Sequence, residues 1–113
     1  MEELRKQLRS DYPALWFRDR FFGFECGAGW LQIIKELFDE LVPLAKDSPE
    51  FCILQVKEKF GDLRVYAAGT TEEIDAAIDR AECKSNETCD RCGEKGIKRM
   101  DGWISVRCDL HAI

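Results

Sequence analysis

The sequence predicts an α+β domain, with helices packed on a small antiparallel β-sheet and a finger-like module toward the C-terminus. Three observations carry this. Residues 30–41 repeat apolar side chains at helical spacing, and residues 52–68 read as two alternating strands about a glycine-containing turn. Residues 89–111 gather three of the six cysteines and the single histidine into two closely spaced pairs.

Taken in order, Leu4 and Leu8 stand one helical turn apart in "EELRKQLRS", which predicts a short helix ended by Asp11 and Pro13. The aromatic-rich "YPALWFRDRFFGFECGAGW" that follows has no clean period. Next, Trp30, Leu31, Ile33, Ile34, Leu37, Phe38 and Leu41 make one apolar face and Gln32, Lys35, Glu36, Asp39 and Glu40 the other, predicting a helix over 30–42. Pro43, lacking a donor, should end or kink it.

"FCILQVKEKFGDLRVYAAG" predicts a hairpin over 52–68 about a two-residue Gly61-Asp62 turn, with Glu58 opposite Val65, Lys59 opposite Arg64 and Lys57 opposite Tyr66. Leu54, Val56, Phe60, Leu63 and Val65 then share one side. Gln55, Lys57, Lys59, Arg64 and Tyr66 share the other, and Glu58 breaks the pattern by falling on the apolar side. Thr70 and Glu73 suggest a capping box before a helix over 71–84 whose apolar stripe is Ile74, Ala77, Ile78 and Ala81. The boundary between an α+β body (1–85) and a finger module (86–113) falls at "KSNET". So short a linker predicts docking of the finger on the body.

At 113 residues the chain is one domain able to bury about two thirds of its unfolded surface. No apolar run is long enough to span a membrane. The opening "MEELRKQLRS" is charged throughout with no apolar signal core, which predicts a chain that stays in the cytoplasm. Residues 1–83 carry a net charge of −6 and residues 84–113 a net +1, so a nucleic-acid grip over the whole surface is disfavoured.

In a reducing compartment the cysteines read as metal ligands or core residues. Cys89-x2-Cys92 and Cys108-x2-His111 are separated by 15 residues. Zinc takes four thiolate or imidazole ligands, and a two-residue gap lets one tight knuckle supply two of them. Gly93 follows the first pair, where a knuckle needs tolerance of positive φ. Asp101-Gly102 predicts a hairpin turn pairing 97–100 with 103–106, returning the second ligand pair to the first. Ordinary core thiols leave the pairing unexplained, and a redox Cys-x-x-Cys requires neither Cys108 nor His111. Zn2+ bound by Cys89, Cys92, Cys108 and His111 is therefore the expectation. With all four positions filled by protein, the ion is structural rather than catalytic. Knuckle, hairpin and knuckle in that order resemble zinc-ribbon and treble-clef fingers, although the helix closing a full treble clef is reduced at most to a turn.

Cys26, Cys52 and Cys83 read as buried small apolar residues. Trp30 and the "FRDRFFGF" cluster read as core. Lys57, Glu58, Lys59, Arg64 and Tyr66 are a candidate ligand-binding set, since basic groups beside an aromatic can hold phosphate and a base, with Lys95, Lys98, Arg99 and Arg107 as its extension. The bland alternative is a solvated strand face, with Glu58 reaching water near the turn or paired with Arg64. Gly27-Ala28-Gly29 before a helix could offer N–H groups to an anion, a weak signal. No nucleophile–histidine set is present, and Glu58 or Glu25 is the conceivable general base of an enzyme.

With "CGAGW", "QVKEKFGDLRVY" and "TCDRCG…DGW…CDLHA" in view, the chain resembles a family of small proteins encoded by bacteriophages and bacteria, over most of residues 12–112. Ala28 stands where that family usually has aspartate and Asp62 where it usually has glycine, and neither is in the ligand set. The resemblance implies a phage or bacterial cytoplasmic setting and brings no defined activity with it. Together these readings favour a non-enzymatic zinc-binding protein that binds or regulates a host protein, as a phage-encoded host-directed or anti-defence factor would. The alternative is nucleic-acid or nucleotide binding through the hairpin and finger.

Overall fold

A computed structural model describes residues 2–15, 24–100 and 102–112. Most of "FRDRFFGF" (residues 17–23) and Asp101 lie outside the described residues. The architecture is α+β. Helix α1 (Glu2–Ser10) leads through a short turn of 3-10 helix to strand β1 (Phe24–Glu25), helix α2 (Leu31–Ala45), strands β2 (Cys52–Lys59) and β3 (Asp62–Ala68), and helix α3 (Glu72–Ser85). Strands β4 (Ile97–Arg99) and β5 (Ser105–Arg107) form a separate two-stranded sheet.

Helix α2 is the centre of the fold. Its period places Leu31, Ile33, Ile34, Leu37, Phe38 and Leu41 in the core, each contributing about 1.5–3 kcal/mol of apolar transfer. The helix runs on through Pro43 to Ala45, beyond the expected stop at residue 42. Near the C-terminal end and exposed to water, the proline removes one backbone bond without burying an orphaned group. Helix α1 adds Leu8 to the core, and the Arg5 guanidinium donates to the Phe24 and Cys26 carbonyls at 3.1 and 2.8 Å, tying α1 to β1. Phe24 and Tyr12 pack against the Phe38 ring.

The sheet order is β1-β2-β3, with β1 parallel and β3 antiparallel to β2, so the short first strand makes it mixed rather than purely antiparallel. Its register corrects the expected hairpin. Lys59 pairs with Asp62, Glu58 with Leu63, Lys57 with Arg64 and Gln55 with Tyr66. The turn is therefore Phe60-Gly61, with φ of 53° and 82°, both positive as a type I′ turn requires. A phenylalanine in that region costs about 1 kcal/mol or more. The Glu58 carboxylate offsets part of this by accepting the Gly61 N–H at 2.7 Å. Glu58 thus serves the turn, and Arg64 pairs instead with Asp62 at 3.2 Å.

Moving the turn by one residue on each strand preserves which face each side chain takes, so Val56, Leu63 and Val65 are buried as expected. An irregularity at Leu54 replaces it in the core with Ile53, and Phe60 leaves the apolar face for solvent. Helix α3 buries Ile74, Ala77, Ile78 and Ala81. Its N-cap is Thr71, whose hydroxyl accepts the Ile74 N–H at 3.2 Å, one residue later than expected. The position a Thr70 box would have given Glu73 therefore belongs to Ile74.

Helix α3 also runs along the outer side of β3. The Leu63 N–H donates to Ser85 Oγ at 3.3 Å and the Val65 N–H to Glu82 Oε2 at 3.1 Å. Burial raises the Glu82 pKa, with the Val65 N–H pulling the other way. Cys52 is buried as expected and Cys26 half-buried, but Cys83 is exposed on α3, because it stands two residues beyond the Ala81 stripe and turns outward.

Candidate metal centre

The first knuckle is built from backbone hydrogen bonds. The Cys89 N–H donates to the Glu94 carbonyl at 2.7 Å and the Gly93 N–H to the Cys89 carbonyl at 3.0 Å. Gly93 takes φ +81°, a conformation that L side chains adopt rarely. The second knuckle is one turn of 3-10 helix, Asp109–His111, in which the His111 N–H donates to the Cys108 carbonyl at 3.1 Å. Strands β4 and β5 bring the knuckles together.

The β4–β5 register is Ile97 with Arg107, Lys98 with Val106 and Arg99 with Ser105, one residue away from the pairing a two-residue Asp101-Gly102 turn would impose. Strand β4 ends at Arg99 and β5 begins at Ser105, which leaves Trp103 in solvent instead of on a strand. The shift also sends Val106 into the main core, where it is fully buried.

All four expected ligand atoms converge. Cys89 Sγ, Cys92 Sγ, Cys108 Sγ and a His111 ring nitrogen lie within 4.8 Å of one another, an arrangement that can hold a metal ion. His111 Nδ1 is 3.2 Å from Cys108 Sγ and 3.8 Å from Cys89 Sγ, and the Cys92 and Cys108 sulfurs are 3.7 Å apart. Burial pushes the Cys89 thiol up, but N–H groups of Cys108, Cys92 and Arg91 aimed at the sulfur outweigh it and bring the pKa down to about 6. Cys92 moves the opposite way. The Glu94 N–H lowers it, and burial with the neighbouring Cys108 and Cys89 sulfurs raises it. Three crowded sulfurs ionise together only around a cation. Cys26, outside the cluster, is raised to about 11 by burial, which leaves it an inert thiol.

Charged side chains brace the ligands. Arg107 lies 2.6 Å from the buried Asp90 carboxylate, an ion pair whose angle is not that of a directed hydrogen bond. Arg107 also donates to the His111 carbonyl at 3.3 Å, and Arg99 donates to the Arg107 carbonyl and pairs with Asp109. These arginines were expected on a ligand-binding surface; the structure uses them to hold the second knuckle.

The finger docks on the body through "CGAGW". The Gly29 N–H donates to the Asp90 carbonyl at 2.9 Å and the Trp30 indole to the Thr88 carbonyl at 2.9 Å. A Cβ on Gly29 would stand 2.1 Å from the Cys89 carbonyl oxygen, and one on Gly27 2.1 Å from that of Asp90. The glycines are therefore a cradle for the metal knuckle, and the Gly29 N–H is committed to protein rather than to an anion.

No family model, curated protein or solved structure matches the chain. Nor is any helix among the described residues long and apolar enough to cross a membrane.

The second expected set divides. Lys57 and Arg64 face one another across the sheet, and Tyr66, opposite Gln55, is partly exposed. Glu58 and Lys59 instead line a groove of about 370 Å³ with Phe60, Gly102, Trp103 and Ile104. Glu25, the other conceivable base, is exposed beside Lys57. Sequence reasoning missed the aromatic wall of this groove. Its available signal was a bulky residue beside Gly61 and a tryptophan beside Gly102, both at turns.

Proposed function

We propose that this chain is a small zinc-binding protein, non-enzymatic, which acts by binding or regulating another protein. The observation that carries the zinc reading is the four-ligand cluster. Zn–S bonds of about 2.3 Å and a Zn–N bond of about 2.0–2.1 Å in a tetrahedron give edges of about 3.8 Å between sulfurs and about 3.5 Å from sulfur to nitrogen. The corresponding distances here are 3.7 Å and 3.2–3.8 Å. Thiolate-rich tetrahedral sites favour zinc over the harder cations. Four protein ligands complete the coordination sphere, so the ion braces structure and the chain's single histidine is occupied.

A protein partner is favoured over nucleic acid by how the basic side chains are used. Asp62 pairs with both Arg64 and Lys98, Asp109 with Arg99, and Asp90 with Arg107. Most of the charge that the nucleic-acid or nucleotide alternative needs is thus neutralised within the chain, while aromatic surface stays in water. The resemblance to phage and bacterial proteins makes a host protein in a bacterial cytoplasm the reading for the partner, with a host-directed or anti-defence role as its sharpest form.

Metal analysis of the purified chain should return one zinc per chain, lost in Cys89→Ser. X-ray absorption should show three sulfurs and one nitrogen; a bound water as an additional ligand would overturn the structural assignment. Tagged protein in bacterial lysate should retain one stoichiometric partner at salt that strips nucleic acid. Retention of nucleic acid alone, with steep salt dependence, would favour the alternative.

A further inference from the structure

We propose that the metal centre is also a redox switch: a peroxide oxidises Cys92 and Cys108 to a disulfide, the ion leaves, and the finger loosens from the body. This rests on the zinc reading above and goes beyond it by giving the site a regulatory chemistry.

The four ligands are unequally shielded. Cys89 is fully buried, Cys108 and His111 are half-buried, and Cys92 is exposed. Three backbone N–H groups, those of Cys108, Cys92 and Arg91, aim at the Cys89 sulfur, whereas that of Glu94 aims at Cys92. An enclosed sulfur is poorly reactive, and an accessible thiolate is the nucleophile. Four protein ligands close the ion itself to small molecules, and metal binding keeps the sulfurs deprotonated. An arriving oxidant therefore meets the Cys92 sulfur first.

The second sulfur is already in place. Cys108 Sγ lies 3.7 Å from Cys92 Sγ, on the facing knuckle, and is less enclosed than Cys89. In the first step the Cys92 thiolate attacks one peroxide oxygen, the O–O bond breaks, a sulfenic acid forms, and the other oxygen leaves as hydroxide. In the second, the Cys108 thiolate attacks the Cys92 sulfur, the S–O bond breaks and another hydroxide leaves. Two protons from solvent turn both hydroxides into water; the sulfurs have lost two electrons and the peroxide has gained them. Cys89 and His111 are then the remaining ligands, too few for a zinc site, and the ion dissociates.

The same sulfur is wired to the seam between finger and body. Gly93, next in the chain to Cys92, packs on the body so closely that an added Cβ would stand 3.2 Å from the Gly29 carbonyl oxygen. On either side of Cys89, the Asp90 carbonyl accepts the Gly29 N–H and the Thr88 carbonyl accepts the Trp30 indole N–H. A disulfide draws the two sulfurs from 3.7 Å to about 2.0 Å, which moves Cys92 against this seam just as the ion that braced the knuckle is lost.

The test treats the zinc-loaded full chain with a small excess of hydrogen peroxide, in a Cys83→Ser background that removes the exposed thiol on α3. A chromophoric indicator follows zinc, alkylation under denaturing conditions with peptide mass spectrometry maps the thiols, and near-ultraviolet circular dichroism follows the docked finger. One zinc per chain should be released in step with one intramolecular Cys92–Cys108 disulfide, Cys89 should carry the alkylating label, and the near-ultraviolet signal should fall. A dithiol reductant with added zinc should reverse all of these. Cys92→His keeps four ligands without the exposed sulfur and should release zinc at least about tenfold more slowly. A disulfide that includes Cys89, oxidation that the reductant does not reverse, an unchanged near-ultraviolet signal, or an undiminished rate in Cys92→His would overturn the switch. Should Cys92→His bind no zinc, the thiol map of the parent protein decides. Zinc bound and then retained under peroxide overturns the switch alone, whereas a parent protein that holds no zinc beforehand overturns the zinc reading with it.

Discussion

Gly29→Ala sets two physical effects of opposite sign against each other. Gly29 sits in a short 3-10 turn without positive φ, so on backbone grounds alanine should stabilise, by about 0.4–1 kcal/mol through the unfolded chain. The packing argues the reverse. An added Cβ would meet the Cys89 carbonyl oxygen at 2.1 Å, the Asp90 carbonyl carbon at 2.7 Å and the Gly93 N at 2.7 Å, all backbone atoms of the metal knuckle. Relief requires the knuckle to retreat by roughly 1 Å, measured against a closest tolerable approach of 3.0 Å. Overpacking of that kind costs about 1–3 kcal/mol, and stretching the Gly29–Asp90 and Trp30–Thr88 bonds adds about 0.5–1.5 kcal/mol each. The net expectation is a loss of about 2–4 kcal/mol, or about 8–16 °C in melting temperature for a domain of this size. Calorimetry of metal-loaded protein reads the stability, and competition with a chromophoric chelator reads metal affinity, which should fall together with it. Unchanged or raised stability with unchanged metal affinity would refute the cradle.

Three further outcomes follow from the geometry. Stripping the metal should melt the finger and loosen Trp30, seen as lost near-ultraviolet circular dichroism and a red-shifted tryptophan emission, and re-adding zinc should restore both. Glu82 has a folded-state pKa raised by burial, so the folded state binds the extra proton. Stability should therefore fall as pH rises from the ordinary carboxylate range through the raised value, and Glu82→Gln should flatten that slope in urea titrations. Glu58→Ala should cost about 1 kcal/mol by leaving the Gly61 N–H without its acceptor, with Glu58→Gln recovering most of it in the same denaturation assay.

Periodic features were legible and singular ones were not. Every apolar position assigned to α2 is buried, because a 3.6-residue repeat allows one solution, and the ligand quartet was visible because its spacing is dictated by coordination chemistry. Alternation in β2 and β3 identified the faces but not the register, since sliding the turn by one residue on each strand preserves parity. Propensity pointed to Gly61-Asp62, and the choice of Phe60-Gly61 goes against it. Such local conflicts gather at functional sites, and this one borders the groove. The role of Gly27 and Gly29 was hidden because the atoms they accommodate lie some sixty residues away. The β4–β5 register was off by one residue because Val106 is drawn into the main core, a long-range demand that outweighs the preference of Asp-Gly.

The seal that Glu82 and Ser85 place on Leu63 and Val65 has a consequence for behaviour at high concentration. A bare outer strand is a template on which further chains can polymerise. Here the template is already read by two side chains from a helix packed through its own apolar stripe, so detaching them means lifting α3 off the core. Fibril growth from this side must wait for that rupture, and the hairpin can present its strained tip to solvent without its flank becoming adhesive.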